Sequence, residues 1–387
     1  MNDWIDHLIR NGADISAGGA SAAFGGPHAD TGALARGAAA IPLRHLGLIH
    51  ATGSEAAPFL HNLLSNDINT LAADAAQWTS FNSAQGRMLA NFLLWRDSDG
   101  GGDSGNDSGG NGNDGNRYSL ALAADLAPAL LKKLSFYILR AKVKLTLPAP
   151  ERALIGLAGP AAGNCLTHAA LPSPAVDMRH TAAAGVRVIR INTGLYILEL
   201  AATAAPATFA ALCAAGAAAS GVASWELAAI RAGLPLVTAA TQETFVAQML
   251  NYEIIGGISF TKGCYPGQEI IARTQYLGKP KRRTYRLALS ALPATGAPPG
   301  TALYAPASGE RPVGIIVNTA PLPEGGEALA VIQTAHAGDE LHIGAPGGPC
   351  AHVLELPYEI RHQESGIRDR IQPETGESVV PTGAQRR

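Results

Sequence analysis

Phe260-Thr-Lys-Gly-Cys-Tyr-Pro-Gly-Gln-Glu-Ile-Ile-Ala-Arg-Thr-Gln-Tyr-Leu-Gly-Lys-Pro-Lys-Arg-Arg-Thr-Tyr-Arg286 is the stretch on which the reading of this chain turns. Gly263, Pro266 and Gly267 punctuate a tight turn. Beyond it Ile270, Ile271, Thr274 and Leu277 recur at helical spacing, and Gly278 suits the position after a helix end. The segment Lys262–Gly267 therefore leads into a helix N-terminus, where free N–H groups and the positive end of the dipole lie. A thiol at Cys264, with an ammonium two residues away, would carry thiolate character there. The same residues also suit a plainer role, Cys264 as a small buried hydrophobe and the glycines as turn formers. Glu269 suits the first turn, and Gln268 can cap it or reach a ligand.

On either side the pattern changes. From Thr284 short apolar runs recur at Tyr285–Leu289, Ala302–Tyr304, Val313–Val317, Ala328–Gln333, Glu340–Ile343 and His352–Leu356, separated by Gly and Pro clusters, which predicts a small β-barrel or sandwich. Upstream, strands and helices mix irregularly. Strands are expected at Leu46–Ile49, Met88–Leu94, Val143–Leu147, Ala153–Leu157, Val186–Ile191 and Leu195–Leu200. Helices are expected after Ser54, after a cap at Asp125, through the Ala-rich run 201–219, and from Trp225 to Gly233 before Pro235. This is an α+β pattern rather than a doubly wound parallel sheet.

The 387 residues allow two to three domains. Every residue from 97 to 116 is Asp, Ser, Gly or Asn, so this run reads as a flexible, expanded hairpin tip between strands 87–95 and 118–122. An EF-hand reading fails on its spacing and the missing closing Glu. Residues 1–40 read as a loosely held arm, 40–283 as the α+β region, 284–358 as the barrel and 359–387 as a disordered tail.

A net charge of −2 argues against general nucleic-acid binding. No run has the length of a membrane span. Asp3 and Asp6 precede any apolar run, against a secretory or transit leader. Cys165, Cys213, Cys264 and Cys350 lie far apart, with no compact metal spacing, and point to a reducing, cytoplasmic setting. His336, His342 and His352 read as structural.

The string Lys262-Gly263-Cys264-Tyr265-x-Gly267-Gln268-Glu269 resembles the signature of the YgfZ family, a folate-binding, iron–sulfur-related branch of the glycine-cleavage T-protein superfamily. Ile230–Pro235, Phe245–Asn251 (with Ala247 in place of Pro) and Gly256–Phe260 resemble further family blocks. Phe59–Asp67 and Arg140–Val143 do so more weakly. The resemblance spans about residues 40–358. It implies two interleaved α+β subdomains and a C-terminal β-barrel around a folate-sized opening. It implies tetrahydrofolate as cofactor, and a non-hydrolytic accessory role in assembling, repairing or maintaining iron–sulfur enzymes, including a radical-SAM enzyme that modifies tRNA. The partners it implies are such enzymes or cluster-assembly proteins. Cys264 and Lys262 would be the chemical centre, with Gly263, Tyr265, Gly267, Gln268, Glu269, Arg273, Arg231 and Asn251 at the cofactor.

True aminomethyltransferases carry Arg-x-Glu-Ala-Gly where this chain has Ala229 and Arg231, which makes glycine cleavage an unexpected activity. A folate-dependent one-carbon transferase or demethylase is the alternative. Arg231 also suits a structural ion pair. Lys279, Lys281, Arg282, Arg283 and Arg286 form a basic cluster, either a solvated face or a site for a folate glutamate tail or an acidic partner. Trp78 and Trp95 could stack on a pterin or simply pack.

Overall fold

A computed structural model describes residues 3–15, 22–97, 117–278, 280–293 and 296–360. In chain order the N-terminal elements are α1 (Asp3–Arg10), the short hairpin β1 (Ala13–Ile15) and β2 (Ala22–Phe24), α2 (Pro27–Arg36) and β3 (Ala38–Pro42). Then come β4 (Leu46–Thr52), α3 (Ala56–Leu63), β5 (Ala76–Asn82), β6 (Met88–Asp97), β7 (Arg117–Ala123), α4 (Ala127–Ser135) and β8 (Lys144–Thr146). The next group is β9 (Arg152–Ala158), α5 (Ala162–His168), β10 (Arg179–Ala183), β11 (Val186–Asn192), β12 (Leu195–Ala201), α6 (Ala205–Ala214), β13 (Ala217–Ala219) and α7 (Val222–Arg231). After two 3₁₀ turns follow α8 (Gln268–Leu277), β14 (Arg282–Leu289), β15 (Ala302–Tyr304), β16 (Gly314–Pro321), β17 (Gly326–Gln333), β18 (Leu341–Ile343) and β19 (Cys350–Leu354).

These strands make a five-stranded sheet, β5-β6-β7-β4-β8, a six-stranded sheet, β10-β11-β12-β9-β3-β13, and a closed barrel, β14-β17-β16-β15-β18-β19. β3 precedes the whole five-stranded sheet in sequence yet lies between β9 and β13 of the other, so the two α+β units are interleaved. The expected fold class, with a barrel at the C-terminal end, is the one observed.

Three expectations are corrected. Residues 3–15 and 22–40 are not a loose arm. Trp4 and Leu8 of α1 are buried, Trp4 packing edge-on to Phe209 of α6 at 5.5 Å between ring centroids. β3, the Ala-rich end of this segment, is buried at all five positions. A strand covered on both faces by close neighbours needs small side chains, so it carries no period-two signal. Asp125 does not cap α4: its carboxylate accepts the backbone N–H of Ala239 at 3.0 Å. Asp97 belongs to β6, opposite Arg117, and is buried in ion pairs. β6 pairs antiparallel with β7; the rest of the polar run, residues 98–116, and the tail 361–387 lie outside the described residues.

A buried charge network joins the two sheets. Glu199 of β12 is fully buried and accepts the indole N–H of Trp95 on β6 at 3.2 Å. Arg152 of β9 donates to it at 3.0 Å, His50 of β4 lies 3.6 Å away, and Arg187 of β11 lies 3.8 Å away. Arg187 also pairs with Asp97 of β6. Burial would raise the Glu199 carboxyl, but His50, Arg152 and Arg117 hold it down at about 2. Trp95 is thereby a packing residue, not a stacking platform.

Candidate functional site

The signature stretch forms a strap across the five-stranded sheet and the barrel. Gly267, at φ 78°, opens α8, and a Cβ there would lie 2.5 Å from the Ser83 carbonyl and 2.6 Å from Gly86 Cα. Only glycine lets the start of α8 sit on the β5–β6 turn. Gly263 has open space around it and no such requirement.

Lys262 is buried, and its ammonium donates to the carbonyls of His61 and, at 2.6 Å, Leu64, at the C-terminal end of α3. A cation there complements the helix dipole. It also lies over the Tyr265 ring, 4.9 Å from the centroid. Burial pulls the ammonium down to about 8, and Asp67 nearby opposes that shift. Lys262 thus ties the strap to α3. Replacing Lys262 by Met keeps the apolar stem and removes both donors. The expected loss is about 2 kcal/mol, since a hydrogen bond from a charged group is worth roughly 1.5–3 and desolvation of the ammonium is recovered in part. Urea midpoints would show it. A full-stability variant that had lost function would return Lys262 to a chemical role.

Tyr265 is buried, its hydroxyl pushed up to about 12. Gln268 reaches back to the Lys262 carbonyl at 3.4 Å. Cys264, Glu269 and Arg273 are exposed. The other three thiols are all pushed up: Cys165 by burial, Cys213 by burial and then Cys165, and Cys350 by burial and then Glu340. Cys264 is thus the thiol the fold presents to solvent, and the buried-hydrophobe reading of it does not hold.

The upstream blocks are ties. Gln248 is buried and donates to the Ile271 carbonyl of α8 at 2.6 Å. Asn251 is buried at φ 56° and donates to the Thr284 carbonyl of β14 at 2.8 Å. Arg231, at the end of α7, makes a fork to Glu327 Oε1 of β17 at 2.7 and 3.0 Å, while Arg286 takes Oε2 at 2.8 Å. Asn251 and Arg231 therefore join the α+β region to the barrel, and Arg231 makes the structural ion pair its position suits. The basic cluster dissolves likewise. Arg283 is buried against Glu253, Arg286 is paired, and Lys281 and Arg282 alone of those described remain exposed; Lys279 lies outside the described residues. Alternation along β14 sends successive side chains to opposite faces, which a run of basic letters conceals.

A cleft sits elsewhere, where the two sheets meet α7. Trp78, Asn91, Leu93 and Ala121 line it from the five-stranded sheet, Ile191 and Ile197 from the six-stranded one, and Trp225, Glu226 and Pro235 from α7 and the turn after it. The strap's predicted site residues do not line it; of the sequence candidates it takes Trp78. Gly156 of β9 admits Trp225: a Cβ there would lie 2.6 Å from the indole ring. Asn91 fixes the turn after α7, donating to the Pro235 carbonyl at 2.7 Å and accepting the Val237 N–H at 2.8 Å. Glu226 also borders a second cavity toward the barrel, with His45, Asp125 and Thr319. His45 Nε2 is 3.6 Å from Glu226 Oε1, and neither ring nitrogen has a hydrogen-bond partner among the described residues. Burial raises Glu226 to about 7 and lowers His45 to about 4.

The fold is that of an aminomethyltransferase of the glycine cleavage system. The solved structure of aminomethyltransferase T from Bartonella henselae matches 91% of this chain and 96% of its own at a TM-score of 0.66, with 18% identity. No family model matches the chain. Curated relatives place it more closely. The tRNA-modifying protein YgfZ of Vibrio vulnificus is 30% identical over 245 residues, covering 63% of this chain and 68% of that protein. The protein of the same name from Yersinia pseudotuberculosis is 29% identical over 259 residues, covering 66% and 73%. The chain belongs to the YgfZ family.

Proposed function

We propose that this chain binds tetrahydrofolate in the cleft between its two sheets and acts in tRNA modification as an accessory to iron–sulfur enzymes. The observation that carries the ligand reading is the cleft itself: apolar walls, two tryptophans and one carboxyl that burial holds near neutrality. A pterin is a flat ring with two adjacent donors, an amide N–H and an amino group, and an apolar slot ending in a carboxylate matches it. Trp78 and Trp225 would flank the ring and Glu226 would take the donor pair. The unpartnered nitrogens of His45 leave room for a further polar contact. Tetrahydrofolate, when bound, carries one-carbon units; the chain's residues hold it and exclude water.

The role in tRNA modification is supported by the relatives' names, and iron–sulfur clients are the reading the signature suggests. Cys264, exposed on the strap, is the group proposed to meet such a client. The net charge of −2 favours a protein client over direct RNA contact.

Calorimetric titration with tetrahydrofolate tests the ligand. Glu226→Gln should weaken binding by about 10–100-fold, the worth of one hydrogen bond to a charged group. Wild-type affinity should fall by up to about tenfold per pH unit below pH 7, where the carboxyl protonates. The variant should show no such dependence. No heat with wild type, or a variant that binds equally, rejects the site. Cys264→Ser should keep folate affinity and fail to restore tRNA modification in cells lacking the protein.

A further inference from the structure

We propose that the β18–β19 hairpin carries a divalent transition-metal site made by Glu340, His342 and Cys350. The pairing register puts His342 directly opposite Cys350. Glu340 immediately precedes β18, and its carboxylate lies against the same imidazole. One ligand atom from each residue falls within 4.8 Å of the others. His342 Nε2 is 3.7 Å from Glu340 Oε1. Ligand atoms of a tetrahedral zinc ion stand about 3.3–3.7 Å apart, given bonds of about 2.0–2.3 Å. Contraction by about an ångström or less closes the set.

The turn prepares the imidazole. Its Nδ1 lies 3.0 Å from the Gly348 carbonyl, so Nδ1 carries the proton and the Nε2 lone pair is left facing Glu340. A backbone carbonyl on the far nitrogen is the usual support of a metal-bound histidine. Gly348 cannot be otherwise in this turn, since a Cβ would sit 2.1 Å from the Ile343 carbonyl.

The donor set selects the metal class. Thiolate and imidazole favour Zn²⁺ and its neighbours over Mg²⁺ or Ca²⁺. Three protein ligands leave a fourth position for water or an incoming group. Glu340 is exposed, which gives an entry path. Binding is a proton exchange with no redox change: the Cys350 S–H bond breaks, an S–metal bond forms, and one proton leaves to solvent. The site is independent of the folate reading.

Co²⁺ titration of the full chain is the test. One equivalent should give thiolate-to-cobalt charge transfer and tetrahedral d–d bands, release about one proton per metal at pH 7, and be displaced by Zn²⁺. Cys350→Ser and His342→Ala should abolish the charge transfer or weaken binding at least about 100-fold, with Glu340→Gln losing roughly tenfold. Cys264→Ser should bind as wild type, and unchanged urea midpoints would show that the variants fold. Absence of the charge-transfer band in wild type overturns the proposal. So does a band that survives Cys350→Ser and is lost in Cys264→Ser.

Discussion

Glu199→Ala should cost about 3–5 kcal/mol, the largest single loss outside the apolar core. The carboxylate is the anion on which Arg152, Arg187, His50 and the Trp95 indole N–H converge from both sheets. Removing one partner of a buried ion pair leaves the others charged and dry, and that desolvation cost rather than the pair's net worth sets the size of the loss. Arg187 retains Asp97, so the uncompensated charge falls on Arg152. Folded Glu199 titrates near 2 against an ordinary 4.5. Its stabilisation is present above pH 4.5 and lost as pH falls through that window. Urea midpoints at pH 7 and pH 3 give both readings. Wild type should lose more stability on acidification than the variant does. A loss below about 1 kcal/mol at pH 7, or equal acid sensitivity of the two chains, would sink this account.

The network also shows why sequence pattern carried some features and not others. The strong periodicities were legible: the barrel strands, the Ala-rich helix and the β6–β7 hairpin around the polar run all lie near where alternation and turn residues put them. β3 was not, because a strand buried on both faces looks like any run of alanines. Gly263, Gly267 and Cys264 were marked by the signature, yet the roles of their neighbours were decided by chain segments far away. Lys262 meets α3, about 200 residues back, and Arg231 meets β17, about 100 residues on. Such partners have no local spacing. The cleft is hidden for the same reason: Trp78, Asn91, Ile197 and Glu226 come from four elements with no common motif. The Glu340–His342–Cys350 set could have been found only from the hairpin register, since His342 and Cys350 face each other across two strands and Glu340 lies just before the first. The one local pointer to the cleft is Glu226, an acid on the buried side of α7 two residues after Ser224 and next to Trp225.

That acid and His45 form a pair whose opposite pH dependences should cancel in wild type and appear singly in variants. Glu226 is raised from 4.5 to about 7, so between those values the folded state holds a proton the unfolded chain has lost. Stability from this group falls as pH rises, by about 1.4 kcal/mol per unit at most. His45 is lowered from 6.5 to about 4, so there the unfolded chain holds a proton the folded state lacks. Stability from this group rises with pH at the same slope. The windows overlap from pH 4.5 to 6.5, where the slopes offset. His45→Gln should therefore leave a protein that loses up to about 3 kcal/mol, relative to wild type, between pH 4.5 and 6.5. Glu226→Gln should gain about as much over the same span. At 3.6 Å the two groups also couple, and the double variant measures that: a flat profile matching wild type means each titrates on its own, whereas excess stability in wild type near pH 6 means the proton passes from Glu226 to His45 to form an ion pair. Urea midpoints across this range, with m-values held constant, decide it. If both single variants keep the wild-type profile, neither group is shifted in the folded chain, and the carboxyl proposed to meet the pterin would be ionised at all working pH values.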